Sequence, residues 1–207
     1  MISLNNHLQA KFNSLIEDFI DHKIGICNHF ISADLANKLR LHLQELHDND
    51  SLHQAEIGQQ LVQQKNILIR KDKIFWIDRK HHHPVEDEFL DMIDALILYL
   101  NITCFAGILD YEFHYAWFDK GSFYKKHLDQ FHANTSRKYS FIIYLNKHWK
   151  KQDGGELKIY DVDGISLIEP TNAKSVFFQS SEIPHEVLFS NEIRMSITGW
   201  FKVRPQE

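Results

Sequence analysis

Near Ile108 the spacing of apolar residues changes, and that change constrains the fold more than any other feature of the chain. Before it, apolar positions recur at helical spacing: Leu4, Leu8, Phe12, Leu15, Ile16 and Phe19 within residues 4–20, then Leu35, Leu39, Leu43 and Leu46. After it, Tyr111, Phe113 and Tyr115 alternate with Glu112 and His114, and KYSFIIYLN is nearly all apolar. A period of 3.6 marks helices and a period of 2 marks strands. A near-continuous apolar run marks a strand covered on both faces. Helices followed by a run of antiparallel strands predict an α+β protein whose strands form a barrel or sandwich.

The remaining segments fit this order. IGICNHFI reads as a short strand, and Ser32 with Asp34 reads as the start of the second helix. Residues 48–66 are polar and read as a mobile loop, ILIRKDKIFWID as a strand with a turn, and HHHP at 81–84 as its end. Glu86 to Leu100 reads as a third helix. Asp153-Gly154-Gly155 is a hairpin signal between Trp149 and LKIY, and KSVFF, HEVLF and RMSITGWF supply further strands.

Composition excludes several classes. A net charge of −5 and the lack of a basic run argue against nucleic acid as a partner. Cys27 and Cys104 form neither a disulfide framework nor a CxxC metal site, which points to reduced, buried thiols and a cytoplasmic location. MISLNNHLQAKF lacks the charged and apolar regions of a secretory signal. ALILYL is far too short to span a bilayer, so no membrane partner is expected. GxSxG, P-loop and GxGxxG motifs are absent, which leaves hydrolase, NTPase and dinucleotide readings without a motif.

The chemistry-bearing residues lie in the second half. His127 and Asp129 in HLD share a strand face, because Leu128 between them points the other way. Among 14 histidines an HxD alone says little, and its plain reading is two solvated residues after Lys125 and Lys126. His185 in PHEV and Arg194 in IRMSITGW add to it. If Ser190-Asn191 turns a two-residue hairpin, Val187 pairs with Arg194 and His185 with Ser196, and His185 and Arg194 face one cavity. Arg194 could instead pair with Glu192 or Glu186 at the surface. Its place at the head of the apolar strand MSITGWF argues for an anionic partner inside, such as a dicarboxylate. Two His and one carboxylate, with open positions left over, form the facial ligand set of a non-haem Fe(II) oxygenase. The tract His81-His82-His83 does not converge on one ion and reads as a loop. His7, His22, His42, His47 and His53 read as surface residues. Trp76, Trp149 and Trp200 could simply be core.

With these residues in view, nearly the whole chain resembles the Fe(II)/2-oxoglutarate-dependent prolyl hydroxylases related to the animal oxygen-sensing enzymes, most closely their bacterial relatives. The matching stretches run in order: IGICNHFIS, AEIG at 55–58, IRKDKIFWID at 69–78, GSFYKKHLDQF, YLNKHWKKQDGGELKIY, HEVL and RMSITGWF. Lys71 stands where the family has Gly.

The resemblance implies a double-stranded β-helix (jelly roll) backed by N-terminal helices. Residues 1–105 would be helical support and substrate loop, and 106–207 the catalytic β core, in one domain. His127, Asp129 and His185 would hold Fe(II). Arg194 and the Tyr144 hydroxyl would bind the far carboxylate of 2-oxoglutarate. Tyr124 and Trp200 would lie near the metal and substrate channel. Arg70, Asp72 and Trp76 would organise the edge of the site behind a loop at 54–68. O2 would be the second co-substrate, with ascorbate as reductant. The substrate would be a prolyl residue in a protein, such as elongation factor Tu. Another residue or a small molecule as substrate, a metal-binding jelly roll without oxygenase activity, and a Zn(II) hydrolase are the alternatives. Trp117-Phe118 stands where the family usually has a Tyr, which puts one polar contact of the pocket in question.

Overall fold

The computed structural model describes residues 6–55, 70–130, 135–161 and 164–205. The first helix, α1 (Asn6–His22), buries Phe12, Leu15 and Ile16, so its apolar stripe is the one that helical spacing picks out. Strand β1 (Ile24–Cys27) follows, tied back to α1 by Ile26 N–H donating to Asp18 Oδ2 at 2.7 Å. Helix α2 (Ala33–Asp48) starts where Ser32 predicts: its hydroxyl accepts from the Leu35 amide at 3.0 Å, satisfying one of the free N–H groups of the first turn. Helix α3 (Pro84–Thr103) has Pro in its first turn together with Glu86 and Asp87. Phe89, Leu90, Ile93, Leu96 and Leu100 form its buried stripe.

The strands are β2 (His53–Gln54), β3 (Asp72–Ile77), β4 (Asp110–Phe118), β5 (Tyr124–His127), β6 (Arg137–Tyr144), β7 (Leu157–Asp161), β8 (Gly164–Ile168), β9 (Ser175–Gln179), β10 (His185–Val187) and β11 (Arg194–Lys202). They form two sheets, one in the order β1-β9-β6-β11-β4-β3-β2 and one in the order β5-β10-β7-β8. All paired strands are antiparallel. The jelly-roll expectation holds.

The long strands carry two cores, one on each face. Phe113, Tyr115 and Trp117 of β4 pack with the helices, as do Phe141, Ile143, Ile197 and Phe201. Ala116 and Phe118 pack with Ile142, Tyr144, Leu157 and Ile159 between the sheets. The alternation at Tyr111–Tyr115 therefore marks two buried faces rather than one buried and one solvated, and every residue from Phe113 to Phe118 is buried. Losing one large side chain from such a core costs about 3–5 kcal/mol.

Several expectations fail. Asp153-Gly154-Gly155 turns no hairpin, since β6 pairs only with β9 and β11 while β7 lies in the other sheet. The segment instead crosses between sheets, as a short 3-10 turn over Lys151–Asp153 and a bridge from Gly154 to Ser190. Ser190-Asn191 turns no hairpin either: β10 pairs with β5 and β7, and β11 with β4 and β6. The cysteines are not buried, Cys27 being half-buried and Cys104 exposed.

His42 is not a surface residue. Its imidazole stacks on that of His83 at 3.7 Å and its Nε2 lies 3.3 Å from Glu86 Oε1. His81 Nδ1 donates to the other oxygen of Glu86 at 2.8 Å, so the fully buried carboxylate is held between two imidazoles. The loop expected at 54–68 lies, except for its first residues, outside the described residues. No helix among the described residues is long and apolar enough to cross a membrane.

Candidate active site

The small sheet supplies the predicted metal ligands. His127 ends β5 and lies directly opposite His185 of β10, so adjacent strands bring the two imidazoles to 4.3 Å. Asp129, just beyond β5, sits between them: its Oδ1 is 3.4 Å from His127 Nε2 and its Oδ2 is 3.6 Å from His185 Nε2. One ligand atom from each residue lies within 4.8 Å of the others, and no other such group occurs among the described residues.

Neighbouring groups set the protonation of each ligand. His127 Nδ1 bonds the Lys125 carbonyl at 2.7 Å and His185 Nδ1 bonds the Ile183 carbonyl at 3.0 Å. A carbonyl only accepts, so each Nδ1 carries a proton and each Nε2 faces the centre. Burial would raise the Asp129 carboxyl, but His185, His127 and the Ser140 hydroxyl outweigh it and hold it well below the carboxylate range. Ser140 donates to Asp129 Oδ2 at 2.6 Å. Burial lowers the His185 imidazole and favours its neutral form. Two imidazole nitrogens and a carboxylate converging on one point are a donor set that fits Fe(II).

Arg194 is 2% exposed, yet no carboxylate among the described residues pairs with it. Its Nε donates to the Gly155 carbonyl at 2.9 Å, and the guanidinium carbon lies 4.9 Å over Phe118 and 5.0 Å over Tyr144. The glycines misread as a hairpin serve this residue. Gly154 and Gly155 have φ of +68° and +66°, and a Cβ on Gly155 would lie 2.8 Å from Ser190 Oγ and 3.2 Å from Arg194 Cδ. The Tyr144 hydroxyl neighbours the guanidinium but forms no hydrogen bond of good geometry, and burial pushes its pKa up to about 12. A buried cation without an anion, beside a buried hydroxyl without a partner, fits a carboxylate arriving from outside.

His127, Asp129, His185 and Arg194 line one cavity of about 350 Å³, and Tyr144 lies outside its lining, against Arg194. His185 and Arg194 both line it, as the sequence suggests, but through the packing of two sheets and not through a hairpin. Tyr124, expected near the metal, stacks on His127, and Arg70 lies 4.4 Å over its other face. Arg70 in turn makes paired hydrogen bonds to buried Asp72. Trp76 stands 40% exposed at the rim and Trp200 is buried in the wall, so neither is plain core.

The Trp117-Phe118 departure resolves cleanly. Trp117 faces the helices, stacks on His47 at 4.1 Å and donates to Asp119 at 2.9 Å. Phe118 faces the cavity and brings no hydroxyl.

Sequence reasoning missed Arg137, whose guanidinium lies 3.6 Å over Trp200, and His114. The pairing of Phe118 with Arg194 places residues 114, 116 and 118 on the cavity face, a signal that needs the register.

Comparison with known proteins gives the family. The sequence profile of the 2OG-Fe(II) oxygenase superfamily matches residues 112–202. The chain is similar to a prolyl-4-hydroxylase of Pseudomonas putida, with 34% identity, a TM-score of 0.84, and 93% of this chain and 99% of that one covered. It shares its fold with a prolyl hydroxylase of Trichoplax adhaerens, solved with a peptide fragment of the hypoxia inducible factor oxygen degradation domain. There identity is 23% and TM-score 0.85, and 97% of this chain and 94% of that one are covered. A Xenopus laevis prolyl 3-hydroxylase, OGFOD1, is 34% identical over 76 residues, which is 31% of this chain but only 15% of that protein. Identity at that level over nearly the full length of the Pseudomonas enzyme reaches beyond fold, and the chain belongs to the 2OG-Fe(II) oxygenase superfamily, in its prolyl hydroxylase branch.

Proposed function

We propose that this enzyme hydroxylates a prolyl residue of a protein, with elongation factor Tu as the first target to test. The observation that carries the reading is Arg194: a buried guanidinium without a counter-ion, in the cavity that holds the His127–Asp129–His185 cluster. A Zn(II) hydrolase with the same three ligands has no use for such a clamp.

His127, Asp129 and His185 would hold Fe(II), and Arg194 with Tyr144 would bind the far carboxylate of 2-oxoglutarate. Fe(II) held there would supply, with 2-oxoglutarate and O2, oxidising chemistry whose products are succinate, CO2 and a hydroxylated C–H position. The chain itself orients and shields. Arg194 offers its guanidinium N–H groups and Tyr144 its O–H to one carboxylate, fixing its position. Phe118, paired with Arg194, and Leu157, two residues beyond the Gly155 carbonyl that Arg194 bonds, wall that end with apolar surface, which strengthens the ion pair. Tyr124 and Trp200 flank the metal side, while Arg70, Asp72 and Trp76 form the rim where the substrate chain enters. The Trichoplax relative was solved with a peptide, which supports a peptide as the substrate class. Ascorbate fits as the reductant that keeps the iron ferrous, and the cytoplasm as the compartment where a translation factor is met.

The test incubates anaerobically purified protein with Fe(II), 2-oxoglutarate, O2 and elongation factor Tu. A one-oxygen gain on a proline, read by mass spectrometry and lost in His127→Ala, is the expected result. Succinate release without that gain keeps the oxygenase and discards this target. Neither product nor succinate from iron-loaded protein overturns the reading.

A further inference from the structure

His114 is a buried imidazole with no assigned task. It is 3% exposed and lines the cavity, yet its Nδ1 is buried without a hydrogen-bond partner. The indole N–H of Trp200, in the same wall, is also without one. Unpaired buried donors and acceptors are rare because they are costly. Packing does not leave His114 free to turn away. Its ring lies 5.1 Å from that of Trp76 and 5.4 Å from that of Trp200. Burial holds its pKa near 3, so it is neutral and offers one donor and one acceptor.

Position decides what these atoms meet. His114 pairs across the sheet with Trp76 and Thr198, whereas Arg194 pairs with Phe118. Four residues of strand separate the two rows, about 13 Å. A five-carbon diacid anchored at Arg194 does not reach His114, so the orphaned atoms belong to the substrate end of the cavity. An imidazole and an indole N–H together match a group with both an acceptor and a donor. A peptide unit is such a group. The unit before a proline has no N–H, and the unit after it has both.

Resting on the prolyl-peptide reading above, we propose that His114, with the Trp200 indole, grips the peptide unit on the C-terminal side of the target proline. His114 is thus a substrate-selecting residue: it requires a backbone N–H and C=O immediately after the proline.

The test uses the full chain loaded with Mn(II) and N-oxalylglycine and a panel of capped peptides, each carrying one proline. Each peptide is made in two forms, with and without N-methylation of the residue after the proline. In the wild type, N-methylation is expected to weaken binding about tenfold. His114→Phe is expected to weaken the unmethylated peptide by about the same factor and to make N-methylation nearly neutral. N-oxalylglycine affinity should stay within about twofold in the variant, which separates this effect from misfolding. N-methylation that costs nothing in the wild type overturns the proposal without any variant. So does a His114→Phe loss that simply adds to the methylation loss. If the wild type binds no peptide of the panel, the prolyl-peptide reading fails and this inference fails with it.

Discussion

The phenol ring of Tyr124 lies flat on the imidazole of His127, with centroids 3.7 Å apart and planes 15° from parallel. The imidazole is thus gripped twice, by the Lys125 carbonyl in its plane and by Tyr124 on its face. Arg70, held by Asp72, closes the stack from the other side. An aromatic contact of this kind is worth about 0.5–1.5 kcal/mol. Tyr124→Leu is therefore expected to weaken Co(II) or Fe(II) binding roughly two- to tenfold, and Tyr124→Phe to leave it close to wild type. Calorimetric titration of the metal-free variants checks this; equal affinity for Leu and Phe would show that the stack does not orient the ligand.

Arg194 trades stability for binding. Arg194→Met should lower 2-oxoglutarate affinity by about 100-fold or more, because charge-assisted bonds to a carboxylate vanish. The same change should raise the melting temperature of the ligand-free protein, since it replaces an uncompensated buried cation with an apolar chain of similar length. Tyr144→Phe should weaken the co-substrate by about fivefold with little change in melting temperature, because its hydroxyl bonds nothing in the free protein. Binding and melting measured side by side test both.

Gly155→Ala should damage the clamp from a distance. The left-handed backbone costs a non-glycine residue about 1–2 kcal/mol. The added methyl also presses on Ser190 and Arg194. Lower stability together with a higher KM for 2-oxoglutarate is the expected pair of effects, read by urea melts and initial rates.

Stability of the metal-free protein should fall on acidification because of His114. Its folded pKa, near 3, lies below the ordinary 6.5, so the unfolded chain takes up a proton that the folded chain refuses. The contribution is whole above pH 6.5 and is lost as the pH falls from 6.5 towards 3. His114→Phe should flatten the curve of unfolding free energy against pH in that window. An unchanged slope would mean that other groups dominate the acid limb.

Much of this site was legible in the chain, for physical reasons that differ by residue. His127 and Asp129 could be placed together because strand periodicity is local. Ser32 could be placed at a helix start because its cap reaches only three residues ahead. That His185 and Arg194 share a cavity was right, but the supposed hairpin between them was not. A Ser-Asn pair can end a hairpin or a crossover alike, and the difference lies in which distant strands are available to pair. The same ambiguity hid the role of Gly155. His114 stayed hidden because its strand is buried on both faces, and only the arrangement of the second sheet tells which face is the cavity. His42 was misplaced because its partner, Glu86, lies 44 residues away.

The crossover from His185 to Arg194 is pinned throughout its course. Leu188 N–H donates to the Glu156 carbonyl, Ser190 exchanges bonds with Ser122 and Gly121, and Asn191 N–H donates to the Asp153 carbonyl at 2.7 Å. This segment joins His185, a proposed metal ligand, to Arg194, the proposed carboxylate clamp, and its hydrogen bonds make it a ruler. The two ends of a co-substrate must match a span that the backbone sets in advance. With Arg194 as the proposed clamp, a 2-oxo diacid one methylene shorter or longer would satisfy the iron or the guanidinium, not both. Length selection would then be a property of the eight residues of backbone between His185 and Arg194, and insertions tolerated elsewhere on the surface would here change which molecule the enzyme consumes.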